Sequence, residues 1–146
     1  MHRQFWKAKG LSGFANTDLA SGRFGALGPE SPEERGLLLS YVIGERAAKL
    51  DAMDVQSRVQ QTLADAESVF PGAREQFETV RAKSWIEDPW QRGGLTSFGP
   101  GELSWIPLNA RREGRISFAG EHTSRWNGWM QGAIESAHRI VKEISE

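Results

Sequence analysis

The chain has 146 residues, about one domain's worth, with 38% apolar and 25% charged residues and a formal net charge of −1. That balance gives no electrostatic reason to expect nucleic acid or an anionic membrane as partner. The absence of cysteine excludes disulfides and thiolate metal sites, and no apolar run approaches the ~20 residues that span a bilayer. The opening MHRQFWKAKG lacks the apolar core of a signal peptide, so a cytoplasmic or undetermined location is expected. Six Trp and seven Phe stand against one Tyr. They are either core or the lining of a site for a flat ligand.

From Met1 to Pro32 the chain is rich in Gly and Ser, with short apolar pieces at 4–7, 11–15 and 23–27 that read as short strands and turns. The run from Leu37 to Ile43 fits a buried strand. A short helix is expected from Glu45 to Met53. Asp54 is placed to cap a second helix, in which Val55, Val59, Leu63, Ala66 and Phe70 form one apolar stripe. Pro71-Gly72 ends it. Strands are expected from Glu78 to Trp85 and from Arg115 to Ala119. Between them lie a Gly/Pro-punctuated loop from Asp88 to Gly101 and a helical turn from Gly101 to Leu108. The last helix has the clearest pattern. Met130, Ala133, Ile134, Ala137, Ile140, Val141 and Ile144 recur at helical spacing and predict a buried side, while Gln131, Glu135, Arg139, Lys142 and Glu143 predict a wet one.

No GxGxxG follows a strand, so the dinucleotide phosphate cradle is not in this sequence. His122 and His138 do not form a helical pair, and no metal site is expected. Ser12, Ser97 and Ser124 lack a GxSxG context. Asp51 and Asp54 read as helix caps, and Arg111-Arg112 is too small for a nucleic-acid footprint. No proton-transferring catalytic side chain is identified.

The most informative stretch is RISFAGEHTSRWNGWMQGAIESAHRIVKEI, from Arg115 to Ile144. A helix amino end presents unpaired N–H groups and partial positive charge, which favour an anion or an atom gaining negative charge. Gly128 and Gly132 would leave that end open to a ligand, and no acidic residue occupies its first turn. Glu121, just past Gly120, would sit at the lip of the same crevice and suits hydroxyl donors. The plainer reading stands beside this one: Asn127 as N-cap, the glycines for close helix packing, and Glu121 as a solvated loop residue.

This stretch resembles the closing signature of the FAD-dependent amine oxidases, the family of L-amino-acid and monoamine oxidases. The matching residues are Phe118-Ala119-Gly120-Glu121 and Gly128-Trp129-Met130-Gln131-Gly132-Ala133. Lys83-Ser84-Trp85 with Gly93-Gly94-Leu95-Thr96-Ser97-Phe98 is similar to a second segment of that family. Residues 1–80 fit more loosely, through Phe5-Trp6 and Thr17-Asp18-Leu19.

The resemblance implies a mixed α+β or α/β fold. It would comprise part of a substrate-domain sheet with its helices (1–80), then the final strand and helix of an FAD-binding domain (81–146). The N-terminal Rossmann half would be absent and would be the expected partner, supplied by the same oxidase. It further implies FAD as cofactor and a small amine or amino acid as substrate, oxidatively deaminated with hydride transfer to the flavin and reduction of O2 to H2O2. Gly120, Glu121, Gly128, Trp129, Met130, Gln131, Gly132, Ala133 and Trp85 would contact the cofactor, and Trp129 with Gly128 the substrate. Leu95 stands where monoamine oxidases complete an aromatic cage, which favours an amino-acid-oxidase-like pocket. A non-catalytic remnant or assembly module is the alternative.

Overall fold

A computed structural model describes residues 1–28 and 34–145. Residues 29–33, at the end of the Gly/Ser-rich stretch, lie outside the described residues. The chain divides into two compact units, Met1–Ser84 and Trp85–Glu146. Helix and a small sheet are both present, which bears out the mixed class. Among the described residues no helix is long and apolar enough to cross a membrane.

The first unit is a three-stranded antiparallel sheet backed by a helix. Its strands β1 (Ala15–Asn16), β2 (Arg23–Leu27) and β3 (Leu37–Tyr41) lie in the order β1-β2-β3. Phe24 opposes Ser40 and Gly25 opposes Leu39. Side chains alternate across a strand, so Phe24, Ala26 and Leu38 meet the core while Leu27, Leu37, Leu39 and Tyr41 face solvent. The uniformly buried strand expected from Leu37 to Ile43 is therefore corrected. It ends at Tyr41, and only alternate residues are covered, because the unit places a helix on one face of the sheet only. The piece at 4–7 is a turn that leads into a short 3-10 segment, Lys7–Lys9, and the piece at 11–15 is irregular up to Ala15, where β1 begins.

Two helices follow, α1 (Gly44–Asp51) and α2 (Val55–Val69). Asp54 caps α2, accepting from the Ser57 N–H at 3.0 Å and from its hydroxyl at 2.5 Å. These bonds to Ser57 hold the Asp54 carboxyl below its usual range. Asp51 is the last residue of α1 instead of an amino-terminal cap. Its carboxylate pairs with Arg58 at 3.2 Å, and Arg58 also donates to the carbonyls of Leu50 and Asp51, satisfying the end of α1. Pro71 and Gly72 close α2, with Glu67 accepting from the Gly72 and Arg74 N–H groups.

The α2 stripe sinks progressively into the unit. Val55 is exposed, Val59 and Leu63 are half-buried, and Ala66 and Phe70 are buried. Phe70 meets Phe24 edge-to-face with centroids 5.9 Å apart, and Phe5 meets Trp6 at 5.2 Å. Buried Asp65 joins α2 to the β1–β2 turn by accepting from the Ser21 N–H at 2.9 Å. The strand expected from Glu78 to Trp85 does not form. This stretch runs irregularly, and among the described residues no strand pairs with it.

The second unit is built mainly on one helix. After a short 3-10 and α-helical segment (Glu102–Trp105, then α3, Ile106–Asn109), the chain reaches α4, Met130–Ser145. The strand expected from Arg115 to Ala119 is reduced to a single bridge between Glu113 and Ile116. Among the described residues the unit contains no strand for it to pair with. The side of α4 expected to be buried is also corrected. Met130, Ile134, Val141 and Ile144 are 58–80% exposed, and the buried positions are Gly132 and Ser136. The helix meets its own unit through its narrow, small and polar side.

Phe24→Ala removes the ring on which α2 rests. It should lower the stability of the first unit by about 3–5 kcal/mol, read as a fall in the urea midpoint with little change in slope.

Candidate functional site

The predicted site residues lie in the second unit, around the amino end of α4. Two loops meet there, Gly94–Ser97 and Asn127–Trp129. Glu121 stands between them in a 3-10 turn, Glu121–Thr123. Its Oε1 accepts from the Thr96 N–H at 2.8 Å and its Oε2 from the Gly128 N–H at 2.5 Å. Asn127 donates through Nδ2 to the Thr96 carbonyl at 3.2 Å. It serves there as a tie between loops and not as the helix cap of the plainer sequence reading. Partial burial pushes the Glu121 carboxyl up. The Gly128 and Thr96 N–H groups, with the Thr96 hydroxyl and the charge of His122, outweigh it and hold the group below the ordinary carboxylate range. Glu121 is thus neither a freely solvated loop residue nor an unoccupied acceptor. Each oxygen holds one backbone N–H and retains capacity for a further donor.

The turn that carries Glu121 is pinned to α4. Ser136 Oγ accepts from the Gly120 N–H at 2.8 Å and donates to the Ala133 carbonyl at 2.7 Å. Arg139 donates to the carbonyls of Phe118 (2.8 Å) and Ala110 (3.2 Å) and to Thr123 Oγ1 (3.2 Å), and pairs with Glu143 at 2.9 Å. Arg139 belongs to the sequence's wet face, yet it organises three loop segments. Ser124 adds a bond from its hydroxyl to Glu135.

The glycines divide into two roles. A Cβ at Gly132 would lie 2.3 Å from the Trp126 carbonyl oxygen, so this glycine lets the preceding loop press on the helix. Gly128 has φ +76°, and a Cβ there would reach only Leu95 Cδ1, at 3.9 Å. Gly128 is therefore required by its left-handed backbone and leaves the surface open.

The tip of α4 is not covered by the unit's own side chains. Trp129 is 65% and Met130 80% exposed, no acidic residue lies in the first turn, and Gln131 and Ala133 are exposed. Trp85, 52% exposed, lies beside Gly94, where a Cβ would be 3.9 Å from the indole. The structure thus brings Gly120, Glu121 and Gly128 together, with Leu95 against Gly128. Trp129, Met130 and Gln131 present an open rim, and Gly132 is buried as packing.

Thr96, Asn127, Ser136 and Arg139 are the contributors that sequence reasoning missed. Thr96 lies within the GGLTSF segment, but the groups that tie it to Glu121 and Asn127 are chiefly its backbone N–H and carbonyl, which carry no residue-type signal. Among the described residues no group of three or more acidic or histidine side chains is placed to hold a metal.

The family model described as flavin containing amine oxidoreductase matches residues 1–145. The chain is 34% identical over 149 residues to the flavin-dependent L-tryptophan oxidase RebO of Lentzea aerocolonigenes, a match covering 96% of this chain and 32% of that protein. It is 27% identical over 149 residues to an L-amino-acid oxidase of Notechis scutatus scutatus, covering 98% of this chain and 29% of the relative. It is also 36% identical over 114 residues to an L-glutamate oxidase precursor of Streptomyces viridosporus, covering 74% and 17% respectively. The chain thus spans between 17% and 32% of the length of these relatives.

Gly132→Ala should cost about 1–3 kcal/mol, since the new methyl meets backbone that cannot yield as a side chain can. Thermal unfolding followed by tryptophan fluorescence measures it.

Proposed function

The chain belongs to the family of flavin-containing amine oxidoreductases, and from that premise we propose that it forms the closing part of an FAD-dependent L-amino-acid or amine oxidase. The observation that carries this reading is the open amino end of α4, with Trp129 and Met130 standing clear in solvent. A flavin, when bound, supplies the two-electron chemistry: it takes the hydride from the C–H beside the substrate amine and passes the electrons to O2, giving H2O2.

The residues present fit such a group. The partial positive charge at the head of α4 would stabilise negative charge on the pyrimidine end of the ring system. Met130, Gln131 and Ala133 would offer the surface on which it rests, and Trp85 would pack against it from the Gly94 side. Glu121 stays ionised and would accept from a ribityl hydroxyl with its remaining lone pairs. Trp129 would present its indole to the substrate, with Gly128 leaving room beside it. Leu95 against Gly128 would give the pocket an aliphatic wall in place of a second ring, as suits an amino-acid side chain.

The imine product would hydrolyse in water without a further group from this chain. The chain's residues bind, orient and exclude solvent. The reaction itself belongs to a larger assembly, because the nucleotide-cradling Gly-rich loop is not in this sequence.

A second reading is a protein-binding module without flavin. It draws on the apolar side of α4, where Ile134, Val141 and Ile144 lie exposed and would suit a protein surface.

Assembly of the full chain with a nucleotide-binding half from an oxidase of this family separates the two. The expected result is a visible flavin spectrum and amino-acid-dependent H2O2 production. Glu121→Ala should lower flavin retention. Trp129→Ala should raise the substrate KM roughly tenfold, the loss of one aromatic contact of about 1–1.5 kcal/mol. A folded assembly that never takes up flavin overturns the oxidase reading and leaves the module.

A further inference from the structure

The Thr96 backbone is held in an unusual way. Its N–H is taken by Glu121 Oε1 and its carbonyl by Asn127 Nδ2. Both partners come from the closing motif, 25 and 31 residues further along the chain. The second oxygen of the same carboxylate takes the Gly128 N–H. One side chain thus grips a backbone amide from each of two loops, and a second side chain completes the grip on Thr96. Two side chains replace the ladder that a sheet would supply. The loops abut at Leu95 and Gly128, and Gly128 is the residue immediately before Trp129.

We propose that Glu121 and Asn127 are positioning residues that clasp the Gly94–Ser97 loop to the Asn127–Trp129 loop through Thr96, and so set the distance between Leu95 and Trp129 that selects the substrate. The inference rests on the oxidase reading for the word substrate, but the clasp itself belongs to this chain without any cofactor. It assigns Glu121 a task beyond touching the flavin.

The chemistry explains the residue types. The two N–H donors reach the carboxylate from different directions and each takes its own oxygen, and of the side chains of this length only a carboxylate offers two acceptor oxygens without a donor of its own. Charge on the acceptor makes both bonds shorter and stronger than neutral ones. The depressed titration of Glu121 agrees with a group that stays ionised to serve both. Asn127 offers the complementary donor for a carbonyl. Glutamine at position 121 keeps the size but turns an NH2 towards one of the two N–H groups, breaking one arm of the clasp.

The test uses the full chain without flavin, observed by amide NMR. As pH falls, the Thr96 and Gly128 amide resonances should move together along one curve. Its midpoint should lie below the ordinary glutamate range, because both report the same carboxylate. His122 is the neighbouring charge that acts on Glu121, and His122→Gln in the same titration should leave the two amides coupled. In Glu121→Gln, hydrogen exchange at one or both of these amides should accelerate about tenfold or more, the equivalent of one charge-assisted hydrogen bond. The Gly120 N–H, held by Ser136, should keep its protection.

Separate midpoints for the two amides, no movement of either, or unchanged exchange at both in Glu121→Gln would each overturn the clasp. Should the variant fail to fold, the titration of the unsubstituted chain decides alone. Because these readouts need no flavin, they stand apart from the oxidase reading. In a flavin-loaded assembly, Asn127→Ala should change the KM ratio between small and bulky amino acids, a ratio that is independent of how much flavin is bound. An unchanged ratio overturns the selecting role.

Discussion

The second unit depends on hydrogen bonds from a few side chains to loop backbone. Ser136 and Arg139 on α4 hold the turn around Gly120, and Glu121 in that turn holds the loops on either side. The order is a relay from helix to turn to loops. Each step satisfies backbone groups that would otherwise have to find water, and each bond to a charged side chain is stronger than a neutral one. With few buried apolar residues in the unit beyond Ile106, these bonds place the loops.

The two units reach order by different means. The first has a conventional core, in which Phe24, Phe70, Phe5 and Trp6 interlock under a small sheet. The second turns its most apolar surface outward. An amphipathic helix seated on Gly132 and Ser136 has its stripe on the opposite side, where it remains available for another surface. The outer face of the sheet, with Leu37, Leu39 and Tyr41, is similarly uncovered. Both faces agree with a chain that spans less than a third of the length of its relatives.

The same arrangement shapes the proposed cofactor site. An open helix tip can favour charge on a flavin only if its surroundings are held still, because preorganised dipoles act without reorganising at the moment of reaction. The clasp at Thr96 supplies that rigidity on one side, and the close approach of Trp126 to Gly132 supplies it on the other. In this scheme the side chains that do no chemistry themselves decide where Trp129 and Leu95 stand.

Much of the local structure was legible in the sequence because it depends on neighbours within a few residues. Helical periodicity located α2 and α4, Asp54 and Pro71-Gly72 bounded α2, and the Phe118–Glu121 and Gly128–Ala133 motifs carried the family. The stretches at 78–85 and 115–119 read as strands but do not form them, because an apolar run becomes a strand only when another strand completes its hydrogen bonds, and among the described residues no named strand pairs with either. Which side of α4 is covered was likewise undecidable from periodicity, which shows that a helix has two faces and not what lies against each. The roles of Thr96, Asn127 and Arg139 arise from groups brought together across 16 to 31 residues of chain. Sequence alone determined the long helices and the family, since short-range spacing and side-chain type suffice for both. Only the tertiary structure decided that the Glu121 carboxylate is already engaged, because its main partners are main-chain N–H groups, which every residue but proline possesses and which no sequence pattern distinguishes.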